Sequence, residues 1–169
     1  MRIFCFIPAR MGSSRFPGKP LFKILGKPLL QWVYEGSKNA EIDELYVTTP
    51  DKEIIDFCAQ NKYQVIKTSN NHERCLDRIH EAYFRLDNRS ADDIIICMQG
   101  DEPLITPKMI NNILSFHKSK NCDFAVSTVL ITEAEFKNES IVKVAYDDDF
   151  KTIYTSRSPI PHSKDGYKK

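Results

Sequence analysis

Apolar positions in the first 118 residues alternate between short unbroken runs and stretches with helical spacing. Residues 2–7 (Arg-Ile-Phe-Cys-Phe-Ile) form an apolar run closed by Pro8, which predicts a buried strand. A loop rich in Gly, Ser, Pro and basic groups fills 8–20. Gly26-Lys27-Pro28 then predicts a helix to about Lys38, with proline in its first turn and Leu29, Leu30, Trp32, Val33 and Gly36 on its apolar face. Leu45–Thr49 reads as a second strand, and Pro50-Asp51 starts a helix over Glu53–Asn61 carrying Ile54, Ile55, Phe57 and Cys58. Tyr63–Ile66 reads as a short third strand. After the polar stretch Thr68–Arg74 comes a helix with Leu76, Ile79, Tyr83 and Leu86 at helical spacing. Ile94-Ile95-Ile96 makes Asp92–Met98 the strongest buried-strand signal. Thr106-Pro107 reads as an N-cap followed by proline at N1 of a helix to about Lys118.

Strand and helix in alternation predict a doubly wound, mostly parallel α/β sheet flanked by helices. The pattern then changes. Phe124–Ile131, Ile141–Tyr146 and Thr152–Thr155 are strand-like, Asp147-Asp148-Asp149 reads as a turn, and one short helix is expected near Glu133–Lys137. No internal repeat or linker is visible, and Ser158–Lys169 reads as loop or frayed end. A single domain over 1–169 is expected.

Composition removes several classes. With 41% hydrophobic and 28% charged residues in 169, the chain is neither disordered nor of low complexity and has enough residues for a sizeable core. No apolar run approaches the roughly 18–20 residues of a membrane span. The opening segment is too short and too soon interrupted for a secretory signal. These readings predict a soluble, cytoplasmic protein without a membrane partner. The five cysteines, odd in number and without metal-ligand spacing, suit a reducing compartment.

Charge redirects attention to the N-terminus. The net charge is +1, yet residues 1–38 hold seven basic side chains (Arg2, Arg10, Arg15, Lys19, Lys23, Lys27, Lys38) against Glu35 alone. Such an excess suggests an anionic ligand, with a solvated basic surface as the plain alternative. In an open α/β sheet, ligands bind where loops converge beyond the carboxyl ends of the strands. The loop after the first strand carries Arg10, Arg15 and Lys19. Gly12 and Gly18 allow close backbone approach, and Gly12-Ser13-Ser14 can present backbone N–H groups to an anion. It matches neither the Walker A spacing nor Gly-x-Gly-x-x-Gly. The loop after the Ile94–Met98 strand sets Asp101 where a carboxylate can hold Mg²⁺ against phosphates, or simply cap a turn. Nucleic acid is not an expected partner, because no aromatic platforms interleave with the cations.

Together these loops carry a resemblance. Ile7-Pro8-Ala9-Arg10-Met11-Gly12-Ser13-Ser14-Arg15-Phe16-Pro17-Gly18-Lys19-Pro20-Leu21 resembles the signature of the CMP-sugar synthetases, specifically the CMP-Kdo (3-deoxy-manno-octulosonate) type. Met98-Gln99-Gly100-Asp101-Glu102-Pro103 resembles that family's second motif; Val142-Lys143-Val144 and Tyr154–Pro161 resemble later segments. The resemblance implies a GT-A-like nucleotidyltransferase fold that couples CTP to an acidic sugar with Mg²⁺, releases pyrophosphate and serves polysaccharide synthesis. It implies that Pro8, Ala9, Arg10, Gly12, Ser13, Arg78 and Gln99 face the nucleotide. Arg15 and Lys19 would face the triphosphate and, with Asp101, act in catalysis. Asp101 would ligate Mg²⁺, and Arg157 would lie near the sugar.

Two departures qualify it. The family's His-x-Ser-Gly-Thr-Asp/Glu-Arg loop here reads His72-Glu73-Arg74-Cys75-Leu76-Asp77-Arg78, and Cys-Leu-Asp-Arg is similar to spore-coat polysaccharide cytidylyltransferase-like proteins. Relatives also continue beyond the Ser-Arg-x-x-Ile-Pro segment into a region supplying sugar contacts, a second metal-binding Asp and part of a dimer interface. A C-terminally short chain is therefore expected, and a homodimer remains open. Two alternatives stand beside this reading. One is a nucleotide-binding or oligomerising remnant. The other is a GT-A glycosyltransferase, which would need an Asp-x-Asp motif that Gly100-Asp101-Glu102-Pro103 does not supply.

Overall fold

The computed structural model describes residues 1–12, 16–87 and 89–162. The chain forms two compact units, Met1–Cys122 and Asp123–Lys169. In the first, β1 (Ile3–Pro8), β4 (Glu44–Thr49), β5 (Val65–Lys67) and β6 (Ile94–Cys97) make a parallel sheet in the order β5-β4-β1-β6. Four helices connect or flank these strands: α1 (Leu29–Ser37), α2 (Lys52–Asn61), α3 (Cys75–Phe84) and α4 (Pro107–Lys120). This is the doubly wound arrangement expected from the alternation.

The period of two along β1 explains why both faces are covered. Ile3, Cys5 and Ile7 pack on one face with Leu30 and Val33 of α1, Ile54 and Cys58 of α2, and Ile110 and Leu114 of α4. Phe4 and Phe6 pack on the other with Ile79 and Ala82 of α3. Phe4, Phe6 and Ile7 are wholly buried, each contributing roughly 1.5–3 kcal/mol by leaving water. Thr106 caps α4 as its pattern predicts, its side chain accepting from the Met109 backbone N–H at 3.4 Å.

Three local expectations are corrected. Lys27-Pro28 does not open α1; it forms strand β3, paired antiparallel with β2 (Lys23–Ile24) across Leu25 and Gly26. Both turn residues have positive φ, 51° and 81°, the requirement of a two-residue hairpin turn. Tyr63 is not in a strand. Lys62 adopts the left-handed conformation that ends α2, and the Tyr63 N–H donates to Cys58 O at 2.8 Å, so pairing begins later, at Val65. Phe124–Ile131 forms no strand either. Phe124, Val126, Val129 and Leu130 are exposed, and β-propensity is realised only through paired neighbours.

The second unit contains α5 (Glu133–Lys137), started by a Thr132–Glu135 capping box, and an antiparallel pair, β7 (Lys143–Tyr146) with β8 (Thr152–Ser156). Asp147 makes the turn between them: its Oδ1 accepts from the backbone N–H of Asp149 at 3.1 Å and of Lys151 at 2.8 Å. Among the described residues no helix is long and apolar enough to cross a membrane.

Candidate active site

The sheet order places β1 between β4 and β6, and the connections diverge to opposite faces there. Such a switch point opens a crevice at the carboxyl ends of the strands. A cleft of about 140 Å³ lies there, lined by Pro8, Ala9, Arg10, Lys19, Pro20, Gln99, Gly100 and Asp101. A second, of about 180 Å³, shares Pro8, Ala9 and Arg10 and continues to His72, Glu73, Arg74, Cys75 and Arg78. The two loops singled out in the sequence thus meet, and the 72–78 segment joins them.

Backbone contacts shape the walls. Ala9 N–H donates to Thr48 O at 2.9 Å, carrying the sheet pairing one step past β1. Gly18, at φ 75°, returns its N–H to Met11 O at 2.9 Å and closes the basic loop at its base. Gly100 is required for a different reason: a Cβ there would stand 2.9 Å from Pro8 O. Gly12 shows no such demand, since an added Cβ would meet nothing within 4 Å.

The charges divide between scaffold and cleft. Arg2 pairs with Glu44 at 3.0 Å and Lys27 with Glu35 at 2.6 Å, so these two N-terminal cations serve the fold. Lys19 Nζ lies 2.5 Å from Asp101 Oδ2 and joins the two loops across the cleft. Both groups are only partly covered, at 36% and 47% side-chain exposure, so an incoming ligand can reach them. Arg10 is exposed and makes no ion pair among the described residues.

Arg78 is buried, and its Nη1 donates to Thr68 Oγ1 at 2.5 Å and Ser69 O at 2.9 Å. Burial and then the nearby Arg10 charge hold its pKa below the ordinary arginine value. Two cations facing one cleft, one of them desolvated, form a site that gains from an anion.

Two features lay hidden in the sequence. Asp51 reads as a helix start, yet it makes no side-chain cap. Its Oδ2 instead accepts from the Met11 N–H at 2.6 Å, tying the basic loop to the start of α2. Glu81 organises the 69–72 segment by accepting from Ser69 N–H at 2.8 Å and pairing with His72 Nε2 and Arg85 Nη2, each at 2.5 Å. Burial pushes the Glu81 carboxyl up, but those hydrogen bonds outweigh it and hold it below the usual glutamate range. The sequence signal for Asp51 was its place after a strand that ends beside β1, which no local pattern marks.

The remaining expected site residues are distributed as follows. Ser13 and Arg15 lie outside the described residues. Arg157 belongs to the second unit, where its Nη1 donates to Glu139 O at 3.2 Å and Ser140 O at 2.9 Å. Beside it, the buried Lys143 Nζ donates to Asn138 O, Ile141 O and Arg157 O. Among the described residues no group of three or more His, Cys, Asp or Glu side chains could hold a metal by itself. Asp101 is a single hard oxygen donor beside cations placed for phosphate. That donor set fits Mg²⁺, which takes one or two carboxylates and completes its shell with phosphate oxygens and water.

A family model described as cytidylyltransferase matches residues 4–168. The chain belongs to the cytidylyltransferase family. Enzymes of that family generally use divalent metal ions. The chain is 40% identical to 3-deoxy-manno-octulosonate cytidylyltransferase of Thermodesulfovibrio yellowstonii, over 99% of its own length and 68% of that protein's. It is 39% identical to 8-amino-3,8-dideoxy-manno-octulosonate cytidylyltransferase of Shewanella frigidimarina, over 98% of its length and 69% of that protein's. Among solved structures, CMP:2-keto-3-deoxy-manno-octonic acid synthetase complexed with CTP superposes with a TM-score of 0.87 at 36% identity. That match covers 97% of this chain and 67% of the other. The chain therefore spans about two thirds of the length of these relatives.

Proposed function

We propose that the cleft transfers CMP from CTP to an acidic octulosonate-type sugar, releasing pyrophosphate, as a cytoplasmic step in polysaccharide-precursor synthesis. The observation that carries this is the convergence of Arg10, Lys19, Gln99 and Asp101 on one cleft at the switch point. The CTP-bound relative at 36% identity supports the nucleotide, and the names of the sequence relatives support the sugar class. Those names divide between 3-deoxy and 8-amino-3,8-dideoxy sugars at nearly equal identity. The shared chemistry is therefore the carboxylate-bearing ketose, and the group at C8 is for experiment to decide.

In this reading Pro8, Ala9, Gly12, Ser13, Gln99 and Arg78 hold the nucleotide, while Arg10, Arg15 and Lys19 neutralise the triphosphate. A sugar hydroxyl attacks the α-phosphorus in line as the bond to pyrophosphate breaks. Charge then accumulates on phosphate oxygens, so fixed cations and positioning supply the rate. Asp101 would hold Mg²⁺, which when bound supplies Lewis-acid neutralisation of those oxygens. Arg157 would serve the sugar carboxylate, and a homodimer is the proposed assembly. Neither nucleic acid nor a membrane is a proposed partner.

The test is pyrophosphate release from CTP and Mg²⁺ with each octulosonate in turn, alongside Asp101→Asn. CTP-selective release with one sugar, falling by about 10²-fold or more in the variant, is expected if the carboxylate holds the ion. Failure to bind CTP at all, or turnover indifferent to Asp101, would sink the assignment.

A further inference from the structure

Two of the five thiols meet beside the cleft. Cys97 ends β6, Cys75 begins α3, and their Sγ atoms stand 4.0 Å apart. Gln99 Nε2 lies 3.4 Å from the Cys97 sulfur and 3.8 Å from the Cys75 sulfur. The other thiols are placed differently: Cys5 and Cys58 are buried in the aliphatic core, and Cys122 Sγ faces His117 O at 4.0 Å. A metal would find only two sulfurs here, for no third His, Cys, Asp or Glu completes a set among the described residues.

We propose that Cys75 and Cys97 form a peroxide-sensitive modification site, closing to a disulfide that disables nucleotide binding in the adjoining cleft. A disulfide needs an S–S distance of about 2.05 Å, so the sulfurs must approach by about 2 Å. The first turn of α3 can yield that much. Arg74 gives it no side-chain cap, and the Arg78 N–H reaches Arg74 O only at 3.5 Å.

The order of events follows from access. Cys75 lines the cleft, where a small oxidant arrives, while Cys97 packs against the Phe4–Phe6 cluster. Burial and then the neighbouring Cys75 push the Cys97 thiol up to about 12, which keeps it protonated until it reacts. Cys75 sulfur attacks a peroxide oxygen and the O–O bond breaks. The leaving hydroxide takes the thiol proton as water, leaving a sulfenic acid. Cys97 sulfur then attacks Cys75 sulfur; the hydroxyl departs with the Cys97 proton as a second water. Two thiols lose two electrons, and hydrogen peroxide becomes two waters.

The consequence for binding comes from the neighbours. Gln99, a wall of the first cleft, contacts both sulfurs and so shifts when they close on each other, and the turn bearing Arg74 and Arg78 is drawn toward β6. The effect on CTP rests on the function proposed above; the cross-link does not.

The test treats the full reduced chain with hydrogen peroxide, maps its cysteines by peptide mass, and titrates CTP before oxidation, after it, and after dithiothreitol. We expect a product lighter by two hydrogen atoms with Cys75 and Cys97 in one linked peptide, CTP affinity down about tenfold or more, and recovery on reduction. Cys75→Ser and Cys97→Ser should each abolish the link, with circular dichroism checking the fold, and Cys122→Ser should retain it. A link mapping elsewhere, no link, or a Cys75–Cys97 link with unchanged CTP affinity overturns the proposal. If the reduced chain binds no CTP, the function reading fails and the peptide map alone judges the cross-link.

Discussion

At the scale of single residues, the walls of the cleft depend on atoms that a residue-type count would pass over. Gly100 sits where a Cβ would press on the Pro8 carbonyl, which is backbone and cannot swing aside. Gly100→Ala should therefore push the β6 loop away from β1. We expect a loss of about 1–3 kcal/mol in stability and a several-fold rise in KM for CTP, read by denaturant melts and steady-state kinetics. Unchanged values for both would mean the loop relaxes freely. Legibility differed sharply among these residues. Lys19 and Asp101 are charged residues in the segments that follow β1 and β6, so position and charge announce them, whereas the neutral Gln99 is marked only by the resemblance of its motif. Asp51 also follows an apolar strand, β4, but it reads equally as a helix start, and its actual partner, the Met11 backbone, lies 40 positions away. Contacts of that kind follow from the three-dimensional neighbourhood of β1 and β4 and leave no local pattern.

At the scale of elements, α3 links the core to the site. Its inner face buries Ile79 and Ala82, while its start carries Cys75 and Arg78 to the cleft. Glu81, on the same helix, holds Ser69, His72 and Arg85. Its carboxyl has a lowered pKa when folded, so its stabilisation is present above the unfolded value and fades as pH falls through the folded one. Glu81→Gln should cost roughly 1 kcal/mol at pH 7 and flatten the decline of Tm below about pH 4.5. Melting curves across pH 3–7 check this, and parallel wild-type and variant curves would exclude the carboxylate as an anchor. Among the regular elements of the first unit, β1 was readable because burial on both faces demands a continuous apolar strand. The isoleucine run of β6 marked the strand but not its burial, since it lies at the sheet edge with Ile95 exposed. The β2–β3 hairpin escaped notice because its turn is Leu25-Gly26, without the usual Asn or Asp before glycine. The stretch 124–131 misled because β-branched and aromatic residues signal a strand only where a partner strand exists.

At the scale of the whole molecule, a net charge of +1 gives almost no long-range pull on a triphosphate. On the proposed function, any attraction must come from the basic side chains assigned to the nucleotide, Arg10, Arg15, Lys19 and Arg78. CTP affinity should then fall as ionic strength rises, over a range set by a Debye length of about 10 Å at 0.1 M salt. Arg10→Ala should reduce that slope. Lys118→Ala, in the last turn of α4 and about 16 Å along that helix from its start after the cleft loop, should not. Calorimetric titrations at three salt concentrations separate the two cases, and equal slopes for both variants would assign the effect to overall charge.

The central position of β1 also bears on how the chain is made. Its pairing with β6 joins Ile3 to Ile94 and Phe6 to Cys97, so one edge of β1 has no partner until about ninety further residues have been made. At ribosomal rates of about 5–20 residues per second, that edge stays open for roughly 5–20 s. During this interval Ile-Phe-Cys-Phe-Ile, the strand that bears the proposed nucleotide loop, presents one edge without its β6 partner.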